Sequence, residues 1–234
     1  MPDPAQVRAM FGRIAGRYDF LNRVLSLGID RRWRASLLES AQDLRGKSAV
    51  DACCGTGDVT LELAGAGATA VGVDFTPEML IRAREKGRRA RAGSAVFARG
   101  DALRLPVRSG TADLCTVAFG LRNVADRSQA LSEMARVVRP GGRVIVLEFT
   151  LPPGRFLGAF YRFYFTRVLP AIGAWISRDR EAYSYLPRTV LAWPSPDELQ
   201  REMEAIGLVD CTHRLLSHGI ACLHSGRAAG ESSP

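Results

Sequence analysis

Between residues 48 and 149 the hydrophobic period of the chain switches repeatedly between two and about 3.6. The runs SAVDACCG (48–55), ATAVGVDF (68–75), SAVFARGD (94–101), TADLCTVAF (111–119) and RVIVLEF (143–149) have strand length and near-continuous apolar character. Between them, DVTLELAGAG (58–67), TPEMLIRAREKGRRAR (76–91) and DRSQALSEMARVVRPGG (126–142) carry helical spacing. Thr76 followed by Pro77 is a helix start signal, and Pro140 with Gly141 stops the third helix. Strands that are apolar on both faces must be covered on both faces. The alternation therefore predicts an α/β fold with a doubly wound, mostly parallel sheet. Further on, SPDELQREMEAIG (195–207) reads as a capped helix, and LVDCTHRLL (208–216) with GIACLHSG (219–226) as an antiparallel strand pair.

At 234 residues one domain accounts for the chain, and no linker or internal repeat is visible. Before the first strand, Val7, Met10, Phe11 and Ile14, then Leu21, Val24 and Leu25, mark two amphipathic helices broken near Gly16 and Gly28. They predict a helical N-terminal flap over 1–46, outside the core. The remaining divisions are a core at 47–150, a helical and aromatic insertion at 151–193, a helix and strand pair at 194–226, and a disordered tail at 227–234.

The net charge of +8 is carried almost wholly by arginine, lysine occurring only at 47 and 86, and it favours anionic partners. Five cysteines without C-x-x-C spacing, and no secretory leader pattern, predict reduced thiols in a cytoplasmic setting. The longest apolar stretch, 156–177, is interrupted by Arg162 and Arg167, and its uncharged part is about half the roughly 20 residues that span a bilayer.

In VDACCGTGDVT (50–60), Gly55 and Gly57 fall between a strand and a helix, where bare backbone and a helix N-terminus can approach a ligand. A dinucleotide fingerprint needs a third glycine where this chain has Thr60, so a nicotinamide-dependent oxidoreductase loses ground. Asp74 ends the second strand, placed to accept from ribose hydroxyls, and Asp101-Ala102 follows the third, placed to address an adenine. The ligand inferred is an adenosine without a pyrophosphate. Asp51, just before the loop, is placed to meet a cationic group or the loop amides.

DACCGTGD, VGVDFTPEML, GDALRLPV and RVVRPGGRVIVLEF together resemble the S-adenosyl-L-methionine-dependent methyltransferases of Rossmann-like, class I fold. The resemblance implies a seven-stranded sheet ending in a reversed hairpin. It implies Thr56 and the glycines at the methionine part, Asp74 at the ribose, and Asp101 with Ala102 at the adenine. The fourth strand then faces the methyl group. The Asp/Asn-Pro-Pro-aromatic motif of base-amino methyltransferases and the Pro-Cys of cytosine enzymes are both missing, so nucleic acid is not expected as partner.

AFGLRNV (118–124) resembles instead the most distinctive signature of the ubiquinone/menaquinone-biosynthesis C-methyltransferases. Agreement continues in RYDFLNRVLSLGIDRRWR, VLEFTLP, FYFTRVLPAIGAWISRDREAYSYL and GIACLH, from about Val7 to His224. The short N-terminus and Ala118 look like the menaquinone-type members. The resemblance implies C-methylation of a demethylmenaquinol through its phenolate. The alternatives are a benzoquinol of the ubiquinone pathway or a small secondary metabolite. On this reading Arg122 stabilises the oxyanion, Asn123 orients a hydroxyl or water, and Tyr18, Asp19 and Asn22 close over the ring. The aromatic segment 156–176 fits a polyprenyl tail, with Arg155, Arg162 and Arg167 meeting lipid headgroups at the inner face of the membrane. The partners implied are a polyprenylated naphthoquinol and a peripheral membrane contact; a homodimer is compatible with the sequence.

Three signals are discounted. Cys211, His213, His218, Cys222 and His224 follow no standard zinc spacing, and no metal is expected. Cys53 and Cys54 read as small buried hydrophobes on opposite sides of a strand, and RAREKGRRAR as a solvated helix face.

Overall fold

The computed structural model describes residues 3–153 and 187–230. The aromatic segment 156–176 and Arg155, Arg162 and Arg167 lie outside the described residues, as does the end of the tail from 231.

Three helices precede the sheet: α1 (Pro4–Ile14), α2 (Tyr18–Leu25) and α3 (Asp30–Ala41). Then follow β1 (Ser48–Ala52), α4 (Asp58–Gly65), β2 (Thr69–Asp74), α5 (Pro77–Ala90), β3 (Ala95–Arg99) and β4 (Ala112–Ala118). A 3-10 turn at Leu121–Asn123 leads to α6 (Arg127–Val137) and β5 (Val138–Phe149). After the insertion come α7 (Pro196–Ala205), β6 (Leu208–Leu216) and β7 (Ala221–Ala228). The seven strands form one sheet in the order β3-β2-β1-β4-β5-β7-β6. The five on the β3 side pair in parallel, while β7 runs antiparallel to both β5 and β6. This is the expected doubly wound sheet with a reversed terminal pair.

Alternate residues of the central strands enter two cores. Val50, Cys115, Val117, Val144 and Val146 face Leu131 and Met134 of α6 and Leu199 and Met203 of α7. Ala49, Leu114, Ile145 and Leu147 face Trp33 and Leu37 of α3 and Val59 and Leu63 of α4. Burying such side chains stabilises by about 1.5–3 kcal/mol each. Ser195 and Glu198 close a capping box at the start of α7.

Four sequence expectations change. The N-terminal segment holds three helices, and the third is part of the core, because Trp33 and Leu37 are buried against the sheet. Helix α6 stops at Val137, not at Pro140-Gly141. Residues 138–142 already belong to β5, whose register with β4 shifts between Ala112 and Leu114 to absorb them. The tail is ordered as far as Ala228, since Arg227 and Ala228 pair with Val209 and Leu208. Finally, β1 ends at Ala52, so Cys53 is a turn residue with left-handed backbone (φ 54) instead of a strand residue.

Candidate functional site

Strand order reverses between β1 and β4: β2 and β3 lie on one side, β5 and β7 on the other. At such a switch point the loops leaving the carboxyl ends diverge and leave a crevice. A cleft of roughly 790 Å³, counting its open mouth, lies there. Its floor comes from the ends of four successive parallel strands: Cys53, Asp74, Asp101 and Ala118 with their neighbours. Its roof comes from α1 and the start of α2, through Val7, Phe11 and Tyr18. The flap expected over 1–46 is therefore confined to α1 and α2.

Asp74 is buried and organises the loop opposite. Its Oδ2 accepts from the Gly55 N–H at 2.9 Å and its Oδ1 from the Thr76 N–H at 2.8 Å. Burial pushes its carboxyl above the usual range, against those two amides. Each carboxylate oxygen keeps a lone pair for a further donor. Gly55 lines the cleft with φ 54, and a Cβ there would meet nothing within 4 Å. Bare backbone thus faces open space, a cradle that a side chain would fill. Asp101 closes its own turn by accepting from the Leu103 N–H at 2.9 Å, and it lines the cleft beside Ala102 and Leu103. A flat apolar wall edged by a carboxylate suits an adenine, so these residues fit an adenosine-bearing cofactor.

Other expected cofactor residues serve the loop from behind. Gly57 caps α4 in left-handed backbone (φ 83), and a Cβ there would come 2.6 Å from the Phe97 ring. Thr56 is buried and donates to Asp19 at 2.6 Å. Neither Gly57 nor Thr56 is among the cleft-lining residues. Asp51 is also set back from the cleft: it accepts from the Thr60 hydroxyl at 2.7 Å and the Thr116 hydroxyl at 3.0 Å, and it meets no cation among the described residues. Thr60, where a third glycine would stand in a dinucleotide site, is thus the buried hydroxyl that serves Asp51. Burial pushes Asp51 up to about 7, which the two hydroxyls only partly oppose.

At the end of β4, Phe119 takes left-handed backbone (φ 57), and its carbonyl accepts from the Asn123 amide at 3.3 Å and from the Arg122 guanidinium. Asn123 lines the cleft; Arg122 does not. The guanidinium turns instead onto Glu148 of β5, with Nη1 2.8 Å from Oε2, and lies 5.2 Å from the Phe149 ring centroid. The two side chains are 8% and 1% exposed. Two buried polar atoms here have no hydrogen-bond partner among the described residues: Arg122 Nε and Asn123 Oδ1. Tyr18 lines the cleft from above and hydrogen-bonds Asn22, and burial raises its phenol above 10. Asp19 turns away from the ring position toward Thr56 and Lys86.

Sequence reasoning gave no role to Glu148, although a carboxylate inside the apolar run RVIVLEF must find a buried partner. Cys53, expected as a small packed hydrophobe, lines the cleft. On the terminal strands His213 and His224 are paired in register with rings 5.5 Å apart. No group of three metal-binding side chains occurs among the described residues.

The model of the ubiE/COQ5 methyltransferase family matches residues 2–228. A demethylmenaquinone methyltransferase of Thermus thermophilus is 47% identical over 219 residues, covering 93% of this chain and 99% of the relative. A ubiquinone/menaquinone biosynthesis C-methyltransferase UbiE of Geobacter sulfurreducens is 44% identical over 225 residues, covering 94% and 88%. Among solved structures, a Haemonchus contortus phosphoethanolamine N-methyltransferase in complex with S-adenosyl-L-methionine shares the fold. Its TM-score is 0.63 at 13% identity, over 84% of this chain and 52% of that one. With the signature AFGLRNV at the mouth of the cleft and the family match spanning nearly every residue, the chain belongs to the ubiE/COQ5 methyltransferase family.

Proposed function

We propose that this protein transfers the methyl group of S-adenosyl-L-methionine to a ring carbon of a demethylmenaquinol, a polyprenylated naphthoquinol, giving menaquinol. The observation that carries the reading is convergence on one cleft. Gly55, Asp74, Asp101 and Ala102 line it beside Tyr18 and Asn123. Relatives bearing the demethylmenaquinone methyltransferase name align over nearly the whole chain, which supports this acceptor over a benzoquinol.

The cofactor, held by Gly55, Asp74, Asp101 and Ala102, supplies a methyl group already activated on a sulfonium. What the chain must provide is alignment and an electron-rich acceptor carbon. A quinol carbon becomes nucleophilic as its neighbouring hydroxyl, with a phenol-like pKa near 10, gives up its proton to solvent at the open mouth of the cleft; once the new carbon–carbon bond has formed, loss of the ring carbon's own proton to solvent restores the aromatic ring. Asn123 Oδ1, buried and unpartnered, accepts a hydrogen bond from that hydroxyl. The Tyr18 hydroxyl donates to the developing oxyanion, and Val7 and Phe11 keep water from the ring. Arg122 acts one layer back. It fixes the Phe119 carbonyl that orients Asn123, and its positive field reaches Tyr18. The direct oxyanion contact expected of Arg122 from the sequence is assigned instead to the two groups that line the cleft, Tyr18 and Asn123.

The acceptor's tail belongs in a bilayer, and we infer a peripheral membrane contact through the roof of the cleft. Phe20 of α2 is 60% exposed and Leu27, just after that helix, 82%, and Arg17 and Arg23 of the same segment are exposed as well.

The test is transfer of labelled methyl from S-adenosyl-L-methionine to a short-tailed demethylmenaquinol and to its oxidised quinone. Label is expected on the reduced ring alone. Equal labelling of both, or none of the quinol, would overturn the proposal.

A further inference from the structure

Lys86 is one of two lysines in a chain whose other basic side chains, histidine aside, are all arginine. Its ammonium stands at a junction of three segments. It donates to Asp19 Oδ2 of α2 at 2.8 Å, to Thr56 Oγ1 of the glycine loop at 3.0 Å, and to the Asp58 carboxylate in the first turn of α4. Asp19 Oδ1 closes the ring by accepting from the Thr56 hydroxyl at 2.6 Å. An ammonium has three diverging donors, and here all three are used. A planar guanidinium spreads its donors in a fork and does not match three acceptors around a point. That difference gives a chemical reason for lysine at this one place.

The junction joins the two halves of the cleft. Thr56 sits in the loop whose neighbour Gly55 faces the cofactor side. Asp19 directly follows Tyr18, which faces the acceptor side. Helix α2 has no side-chain cap hydrogen bond at its N-terminus, so nothing of that kind fixes its first turn. The contact from Asp19 to Lys86 and Thr56 supplies the anchor, and the carboxylate in that turn also favours the helix dipole.

We propose that Lys86 is a positioning residue for methyl transfer: it clamps Asp19, and with it Tyr18, to the glycine loop, so that one ammonium sets the wall that covers the acceptor. This rests on the cleft being a methyl-transfer site. Releasing the clamp leaves Gly55, Asp74, Asp101 and Asn123 in place but frees the roof.

Lys86→Met and Asp19→Asn break the clamp from its two ends. Three readouts test it: acceptor KM and kcat, calorimetric affinity for S-adenosylhomocysteine, and the rate of tryptic cleavage after Arg17, which is exposed between α1 and α2. Each variant is expected to raise acceptor KM at least fivefold and to speed cleavage at least fivefold, with cofactor-product affinity changed less than threefold. The double variant is expected to be no worse than the worse single one, because both remove the same contact. Unchanged KM and cleavage would overturn the proposal, as would a loss of S-adenosylhomocysteine affinity as large as the rise in KM. The cleavage rate needs no acceptor, so it tests the clamp even if wild-type protein methylates nothing, an outcome that would sink the proposed reaction instead.

Discussion

Arg122 and Glu148 face each other across the carboxyl ends of β4 and β5, Nη1 to Oε2 at 2.8 Å, almost wholly out of solvent. The Glu148 carboxylate also accepts from the backbone N–H groups of Arg122 at 3.2 Å and Phe149 at 3.1 Å. It therefore holds the turn that carries Asn123. Removing one partner of a buried pair strands the other charge, at about 3–5 kcal/mol. Glu148→Ala is expected to lose that much in urea unfolding, and Glu148→Gln, which keeps an acceptor oxygen, clearly less. Arg122→Ala is expected to lower kcat at least tenfold while calorimetric cofactor affinity stays near normal. Unchanged turnover would remove Arg122 from the site.

The same turn approaches β1 too closely for any side chain. A Cβ on Gly120 would lie 2.4 Å from the Cβ of Cys53, itself in left-handed backbone. Overpacking of this kind costs about 1–3 kcal/mol. Gly120→Ala is expected to destabilise by at least that amount and to lose cofactor binding, since both residues line the cleft. Glycine tolerates the Cys53 backbone and removes the clash. Adding Cys53→Gly to Gly120→Ala should thus restore urea stability to within about 1 kcal/mol of Cys53→Gly alone. A double variant as unstable as Gly120→Ala would place the clash elsewhere.

The strand and helix pattern was legible because each central strand alternates between two apolar cores, and periodicity reports that directly. The same signal placed Asp74, Asp101 and Ala102, because a residue at the end of a parallel strand has only one place to go. It could not place Arg122. A sequence shows that a guanidinium sits at the strand end, but not which way it turns. That direction is set by Glu148, 26 residues away and set within an apolar run. Trp33 and Leu37 were missed as core for a related reason. Helix α3 is mostly polar, and its buried stripe is narrow, so only the tertiary contact with the sheet shows its place.

Two buried groups give opposite pH slopes. Asp51, raised from 3.8 to about 7, is protonated in the fold and ionised in the unfolded chain between those values. Its contribution to stability is full below about 4 and is lost as pH rises through 7. His224, lowered from 6.5 to about 4 by burial, is neutral in the fold while the unfolded imidazole is charged. Its contribution is full above 6.5 and is lost as pH falls through 4. Each slope reaches about 1.4 kcal/mol per pH unit, so between pH 4 and 6.5 they largely cancel. Other shifted carboxyls, Asp74 and Glu62 among them, titrate in the same window, so the wild-type slope of urea unfolding is the reference. Relative to it, the slope with pH should become more positive for Asp51→Asn and more negative for His224→Gln. Parallel slopes in the two variants would contradict both assignments.

The roof of the cleft supplies the last prediction. Burying an exposed phenylalanine or leucine stabilises by about 1.5–3 kcal/mol, and each arginine near an anionic surface adds about 1 kcal/mol. On the proposed reading, Phe20 and Leu27 with Arg17 and Arg23 of the same segment supply a reversible contact with an anionic bilayer. Co-sedimentation with phosphatidylglycerol vesicles is expected, weakened by added salt, and much less with phosphatidylcholine alone. Phe20→Ser with Leu27→Ser removes about 3 kcal/mol or more, which should reduce vesicle binding at least tenfold. Because neither side chain lines the cleft, turnover of a water-soluble, short-tailed quinol should be unchanged in the same variant. Equal binding to neutral and anionic vesicles would refute the arginine contribution, and full binding by the double variant would move the contact off this surface.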